Sequence, residues 1–544
     1  MRKLYLLLMG VVFFATQALA QRTVTGKVTD EKGNPLANVS VLVRGTTTGT
    51  TTKEDGSYTL TVPANAKALV FSSVDMSPVE MAIGTASVIN ATLKGEDKTM
   101  SEVVVVGYGT QRKKDVTGSV SRISGDKTKD MPVQSFEQAL SGRAAGVSVT
   151  LPNGVLNAQP VIRIRGVNAM GLSSFPLVVI DGVPTFTGDA GNSAANNVLS
   201  DLNPSDIESV EVLKDAAAAA IYGSRAAAGV LLVTTRKGKQ GKARVAYDAW
   251  VGFTRPFNLV PLLDGREYEL IKNEGLVNAG TPPNGTTRGF YPYIGLDGNP
   301  VSTNWYDVIY RQGVSHNHSV SVSGANDKTT YYFSAGYSKQ KGMLVNNDFR
   351  RLTSLMSLDH KVNSRLTIGG KFQYSTSKNA GVNSGSLSGQ AFNTSGIGRL
   401  AFNLMPNTPV FLNNGAYNIN TVTNTIGQGA NITALQFTNP KYLIDKNIFT
   451  SENDRVLANV YASFKIFDGL NFKVVYGIDN LQVTNKSFQD PFHGDGVAQS
   501  GSSTYTLQTY KRWDWQNLLS YDKTFGKHNI SALVGIEEQY TFQE

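Results

Sequence analysis

The chain has 544 residues, enough for several domains. Charged residues are 17% of it and cysteine is absent, which excludes a disulfide framework and thiolate chemistry. The net charge of +9 comes from scattered bases without a helix-turn-helix, finger or RNA-binding motif; it describes solvated surface and not a nucleic-acid partner.

Residues 1–20 read as a secretory signal peptide. Arg2 and Lys3 supply the positive start, residues 4–16 the apolar core, and Ala18-Leu19-Ala20 a small-x-small cleavage site that leaves Gln21 as the mature start. The apolar run is shorter than the roughly 20 residues of a spanning helix, and no later run is long and apolar enough. In a membrane this chain would be a barrel. No cysteine follows the cleavage site, which excludes a lipid anchor there.

Residues 21–97 read as a small β-sandwich. Val39, Val41 and Val43 alternate with Ser40 and Leu42, and Tyr58, Leu60 and Val62 with Thr59 and Thr61. Turns fall at Gly33-Asn34-Pro35 and Asp55-Gly56. Residues 98–114 form a linker holding Glu102, the strong β-formers Val103, Val104, Val105 and Val106, and then the breaker Gly107-Tyr108-Gly109. Arg112, Lys113 and Lys114 follow as a basic tail. With no partner strand expected within hairpin distance, the valines suit strand addition to another protein; an ordinary buried strand fits the pattern equally well.

Residues 115–239 read as a mixed α+β domain. A capped helical turn opens at Ser135. Strands are expected at 161–165, 177–180, 210–213 and 230–235. The first of these carries Val161, Arg163 and Arg165 on one face and Ile162 and Ile164 on the other. Asn203-Pro204 opens a second turn, and Asp215 is expected to cap a helix at 216–222 that Gly223 stops.

From residue 240 the period becomes two. Val245, Tyr247, Ala249, Val251 and Phe253 share one face, as do Tyr331, Phe333, Ala335 and Tyr337, then Leu366, Ile368, Phe372 and Tyr374. Val456, Val460 and Phe464, then Phe472, Tyr476 and Ile478, then Ile530, Val534 and Ile536 continue the pattern. The strands are expected to run about ten residues, the length that crosses a bilayer with tilt. Short polar turns (324–328, 363–365, 467–469, 525–527) alternate with long Gly/Asn/Ser-rich loops near 255–313, 377–451 and 480–507, as in an outer-membrane barrel.

The strings SEVVVVGYGTQRKKDVTGSVS, ALSGRAAGVSV, VIRIRG, PLVVIDGVP and LNPSDIESVEVLKDAAAAAIYGSRAAAGVLLVTTRKGK, in this order, resemble the SusC/RagA family of TonB-dependent outer-membrane transporters. VTGKVTDEKGNPLANVSVLVRGT resembles its carboxypeptidase-regulatory-like domain. The resemblance implies a TonB box at Glu102, Val103, Val104, Val105, Val106, Gly107, Tyr108 and Gly109, a plug at 115–239, and a 22-stranded barrel. It implies TonB with its ExbB/ExbD energising complex as a partner, a SusD-like surface lipoprotein as a lid, and an oligosaccharide or peptide ligand, glycan ahead of peptide. The N-terminal domain would lie in the periplasm.

About nine strands are legible in 240–544, far short of 22, and an open sheet edge in lipid leaves backbone groups unsatisfied at several kcal/mol each. A partial barrel and an N-terminal portion of a longer protein are therefore expected. The fold class expected is mainly β: a small N-terminal sandwich, an α+β plug and the first strands of an antiparallel barrel.

The outer membrane holds no ATP, so work must come from the inner-membrane potential, about 2.3 kcal/mol per charge per 100 mV. Residues 103–106 would be the handle. Arg163 and Arg165 are expected to latch the plug to wall carboxylates or to Glu208 and Glu211. His316 and His318 share a face without a third metal ligand at suitable spacing; they are read as lumen-facing or loop-end polar residues. Trp513, Trp515, Tyr461 and Tyr476 are assigned to interfacial girdles. No catalytic constellation, metal set or cofactor motif is found, so the chain is not read as an enzyme. A siderophore or vitamin receptor and a non-transporting adhesin or structural β protein are the alternatives.

Overall fold

Valines and aromatics spaced two apart build most of the chain. The computed structural model describes residues 21–544 apart from 31–32, 64–65, 74–75, 77, 95–102, 107–108, 113–118, 129–130, 168–174, 383–395, 434–436 and 527. The expected signal peptide lies outside the described residues. The chain divides into two units, Met1–Val103 and Val104–Glu544.

In the first unit, strands β1 (Gln21–Thr29), β2 (Ser40–Val43), β3 (Gly49–Thr51), β4 (Ser57–Pro63), β5 (Ala68–Ser72), β6 (Val79–Ala82) and β7 (Ala91–Thr92) form two sheets, ordered β4–β1–β7 and β3–β2–β5–β6. Val39, Val41, Val43, Tyr58, Leu60 and Val62 all point into one core with Val24, Phe71 and Leu93, as the alternation requires. The Tyr58 hydroxyl stays paired by donating to the Ile89 carbonyl at 2.8 Å.

The valine run is strand β8 (Val103–Val106), and it is not unpartnered. It forms a two-stranded sheet with β9 (Gly109–Arg112), which corrects the expectation of no hairpin partner. A strand's donors and acceptors pair with the nearest extended chain, and here that begins three residues on. β8 belongs to no larger sheet among the described residues.

The mixed domain contains β10 (Val120–Ser124), α1 (Phe136–Ala139), β11 (Val147–Thr150), β12 (Val161–Ile164), β13 (Leu177–Ile180), β14 (Val183–Pro184), β15 (Ile207–Leu213), α2 (Ala216–Ala219) and β16 (Val230–Thr235). Its main sheet runs β10–β15–β16–β13–β14, with β13 and β16 parallel, and β11–β12 is a separate hairpin. Ile162, Ile164, Val178, Ile180, Leu199, Ile207 and Val212 share its core. Two expected caps differ. Ser135 and Asp215 stand at N-cap positions but make no side-chain cap bond. Asp215 instead accepts from the Ser119 amide at 2.6 Å. The helix it precedes tightens after Ala219 into a 3-10 segment, Ala220–Ala226, that kinks at Gly223.

Nine antiparallel strands follow in chain order as one sheet: β17 (Gly241–Thr254), β18 (Gly313–Ala325), β19 (Thr329–Lys341), β20 (Asp348–Lys361), β21 (Leu366–Gly381), β22 (Ile448–Phe467), β23 (Leu470–Gln489), β24 (Ser502–Phe525) and β25 (His528–Gln543). They run from 13 to 24 residues, longer than the expected ten, because polar residues continue the ladders beyond the apolar stretch. The described parts of the long connections carry regular structure. Helices α3 (Gly265–Asn278), α4 (Trp305–Ile309), α5 (Ile397–Asn403) and α6 (Pro440–Lys446) lie in them. Trp305, Ile309, Leu400, Ile426 and Leu443 form a core there that includes Val155, Ala158 and Ala195 of the mixed domain. No helix among the described residues is long and apolar enough to cross a membrane.

Candidate functional site

Strand alternation decides what the nine-strand wall presents to each side. Phe333, Met356, Phe372 and Val460 are exposed on its outer face. On the inner face Ser319, Ser334, Arg351, Ser377, Asn379, Asn453, Arg455, Asp479 and Asn485 are all buried. Buried polar groups need partners, and the mixed domain supplies many of them.

Two 3-10 turns make the closest approach. Asn197 caps Val198–Asp201 by accepting from the Leu199 amide at 3.1 Å, and Asn203 caps Pro204–Asp206 by accepting from Ser205 at 3.1 Å. The turns drive two carboxylates into the wall. Asp201 accepts from the Ser377 hydroxyl at 2.7 Å and the Asn453 amide at 3.0 Å. Asp206 accepts from the Tyr332 hydroxyl at 2.9 Å. In return the wall reaches the domain's backbone. Arg351 donates to the carbonyls of Gln134 at 3.1 Å and of Ser200. Arg455 donates to Val198 O at 2.8 Å while gripping Asp479 bidentately at 2.8 and 2.7 Å. The same Asp479 accepts from the Phe186 amide at 2.9 Å.

The seam continues on both sides. Asn196 and Asn453 exchange amide hydrogen bonds at 2.6 and 2.8 Å, and Asn379 donates to Ala195 O at 2.7 Å. Lys371 pairs with Asp181 at 2.6 Å. Burial raises the pKa of the Asp201, Asp206 and Glu137 carboxyls; Arg455 and Ser377 pull Asp201 back, Ser334 and Tyr332 pull Asp206 back, and Ser135 and Asn197 pull Glu137 back. Arg455 and Asp479 are 3% and 0% exposed, so removing one strands the other at a cost of about 3–5 kcal/mol. Two wall glycines mark where the surfaces touch. A Cβ on Gly336 would lie 2.5 Å from Asn203 Nδ2, and one on Gly477 would lie 2.4 Å from Val183 Cγ2.

The expected latch is placed differently. Arg165 leaves the strand with φ 58, so it does not share a strand face with Arg163, and it pairs with Asp215. Glu211 pairs with Arg122 on neighbouring β10 at 3.2 Å and accepts from the Ser209 hydroxyl at 2.8 Å. Arg163 stands half-buried on β12 opposite Ser148, and Glu208 half-buried on β15. Arg165 and Glu211 thus brace the mixed domain internally, and the wall contacts fall to Asp181, Asp201, Asp206, Arg351 and Arg455. Of the expected TonB box, residues 103–106 are β8 and Gly109 opens β9, while Glu102, Gly107 and Tyr108 lie outside the described residues.

His316 and His318 lie on the outer face, at the long-loop end of β18, and are not lumen-facing; Ser315, Asn317 and Ser319 take the inner positions. The His318 ring is 2.7 Å from the Tyr247 hydroxyl. Tyr461 is also corrected: it faces inward and donates to Asp359 at 2.7 Å. Tyr476, Trp513 and Tyr540 stack on the outer face. The seam residues escaped the sequence reading. Their signal was the inner parity of the strands, where Arg351, Arg455 and Asp479 interrupt small polar residues.

Residues 112–230 match the TonB-dependent Receptor Plug Domain model and residues 24–106 the CarboxypepD_reg-like domain model. The chain is 32% identical to TonB-dependent receptor P3 of Formosa agariphila over 98% of its own length and 49% of that protein. It is 32% identical to TonB-dependent receptor SusC of Bacteroides thetaiotaomicron, over 99% of itself and 52% of that protein. The chain is similar along nearly its whole length to TonB-dependent receptors of the SusC kind, and it carries their plug module. Among solved structures, the RagAB peptide importer in its open-open state shares the fold, with a TM-score of 0.66 at 24% identity over 81% of this chain and 49% of that one. The chain spans about half the length of the curated relatives it matches. The mixed domain is its plug, and the nine strands are wall of an outer-membrane β-barrel fold.

Proposed function

We propose that the full-length receptor imports an oligomeric nutrient, glycan ahead of peptide, across the outer membrane, with residues 102–109 as the TonB box and a SusD-like lipoprotein as its lid. The N-terminal sandwich would lie in the periplasm. The observation that carries the reading is the chemistry of the seam. Plug and wall meet largely through Asp201, Asp206, Arg351, Arg455 and a row of amides, beside smaller apolar contacts such as Val198 with Leu481 and Val483. Bonds between neutral partners net about 0.5–1.5 kcal/mol and those to the charged groups about 1.5–3 kcal/mol, because water can replace each one as the seam opens. A plug held this way is firm at rest, and water can take over most of its polar contacts as it is drawn off.

Pulling needs a handle. β8 is a short strand in a two-stranded sheet only, so adding a TonB strand to it competes with little existing structure. Replacing Val104→Pro and Val105→Pro in the full-length receptor should abolish energised uptake while leaving ligand binding intact. Normal uptake in that variant would discard the handle. Competition between labelled oligosaccharides and oligopeptides for uptake assigns the cargo class.

A further inference from the structure

Cross-strand register collects cations on the outer face of the wall. At one level of the sheet the directly paired residues are His316, Lys339, Arg350 and Lys378, on four adjacent strands. One step nearer the long loops stand Lys341 and Lys486. Like charges placed directly opposite on a sheet repel, so such a row is destabilising alone. Acidic neighbours relieve it only at the margins. Glu452 pairs with Lys378 at 2.6 Å, and Asp348 is taken by the loop residue Arg311 at 2.6 Å. Lys339 and Arg350 are exposed, and neither forms an ion pair among the described residues.

Six residues further toward the short turns, about 20 Å along the strands, the paired outer row is Val322, Phe333, Met356, Phe372, Ala458, Ile478 and Trp513. Tyr337 and Leu352 lie between the two levels and are exposed on the same face. The surface is therefore amphipathic along the strand direction: an apolar belt for acyl chains, crowned by a cationic row in which Lys339 and Arg350 have no ion pair among the described residues.

We infer that this row is a docking site for the phosphorylated headgroup of a membrane lipid in the leaflet on the long-loop side. The inference rests on the reading of the chain as an outer-membrane barrel. The guanidinium of Arg350, flanked by two ammonium groups, offers the forked donor geometry that grips a phosphate. The adjoining apolar belt selects a lipid over a free anion. His316, ringed by His318 and Tyr337 with centroids at 5.2 and 6.0 Å, closes one end of the row.

The test uses the detergent-purified full-length receptor titrated with diphosphorylated lipid A and followed by native mass spectrometry. The variant carrying Lys339→Gln, Arg350→Gln and Lys378→Gln should lose affinity by about fivefold per charge removed. A control with Lys242→Gln, Lys361→Gln and Lys465→Gln should bind as the parent does. Inorganic phosphate should not compete, and phosphatidylethanolamine should be retained weakly. Equal lipid A retention by parent and row variant, with both inserting normally into vesicles, would overturn the site alone. Failure of the parent to insert would overturn the barrel reading and the site with it.

Discussion

Arg455 holds an unusual position: it belongs to the wall, yet its guanidinium spans a wall carboxylate and a plug carbonyl. Replacing it, Arg455→Met, leaves Asp479 buried and uncompensated, and plug docking should weaken by about 3–5 kcal/mol in the full-length receptor. Hydrogen exchange across residues 186–206 reads this directly. Adding Asp479→Leu should recover much of the loss, because the stranded charge is then gone. Asp201 sets a pH dependence. Burial raises its pKa in the docked state, so docking takes up protons. Its contribution is complete below the ordinary carboxylate value of 3.8 and is lost as pH rises through the raised value. Protection of residues 198–206 should fall across that window, and Asp201→Asn should flatten the response. Neither Asp201 nor Asp206 was legible as a site. Asn203-Pro204 reads as opening a helical turn, which it does, and only the position of the wall reveals what the two turns press against.

At the scale of elements, period two exposed nearly all of the wall. Outer-face rows such as Phe333, Met356 and Phe372 are apolar because that side is uncovered, so their alternation stands out. Strand length was hidden, since β24 runs to 24 residues with a polar first third that looks like loop. The β8–β9 hairpin was hidden for a different reason: Gly109–Arg112 has weak strand propensity and pairs because it is near. The plug's own elements were visible in their apolar runs, but Arg165 was misplaced because its left-handed backbone ends the strand one residue early. Close approach between elements is the least legible feature of all. Gly477 looks like any strand glycine, yet it leaves room for Val183. Gly477→Ala should loosen the plug by about 1–3 kcal/mol, measured as a lower urea midpoint for plug release with the wall still folded.

For the whole molecule, the linear order of a sandwich, a valine segment, a plug and a wall was readable because each has its own period and turn chemistry. The seam between plug and wall was not, because it is built from residues more than a hundred positions apart, such as Asn453 on Asn196. On the proposed function, this seam must open for cargo to pass. Residues 1–544 hold no cysteine, so no native thiol among them competes for an engineered bond. A Cβ on Gly477 would sit 3.4 Å from that of Val183, close to the spacing a disulfide needs, and Val183→Cys removes the methyl that would clash. In the full-length receptor carrying Val183→Cys and Gly477→Cys, uptake should stop when the bond is closed and return on reduction. Undiminished uptake with the bond shown to be closed would mean that the seam does not need to open.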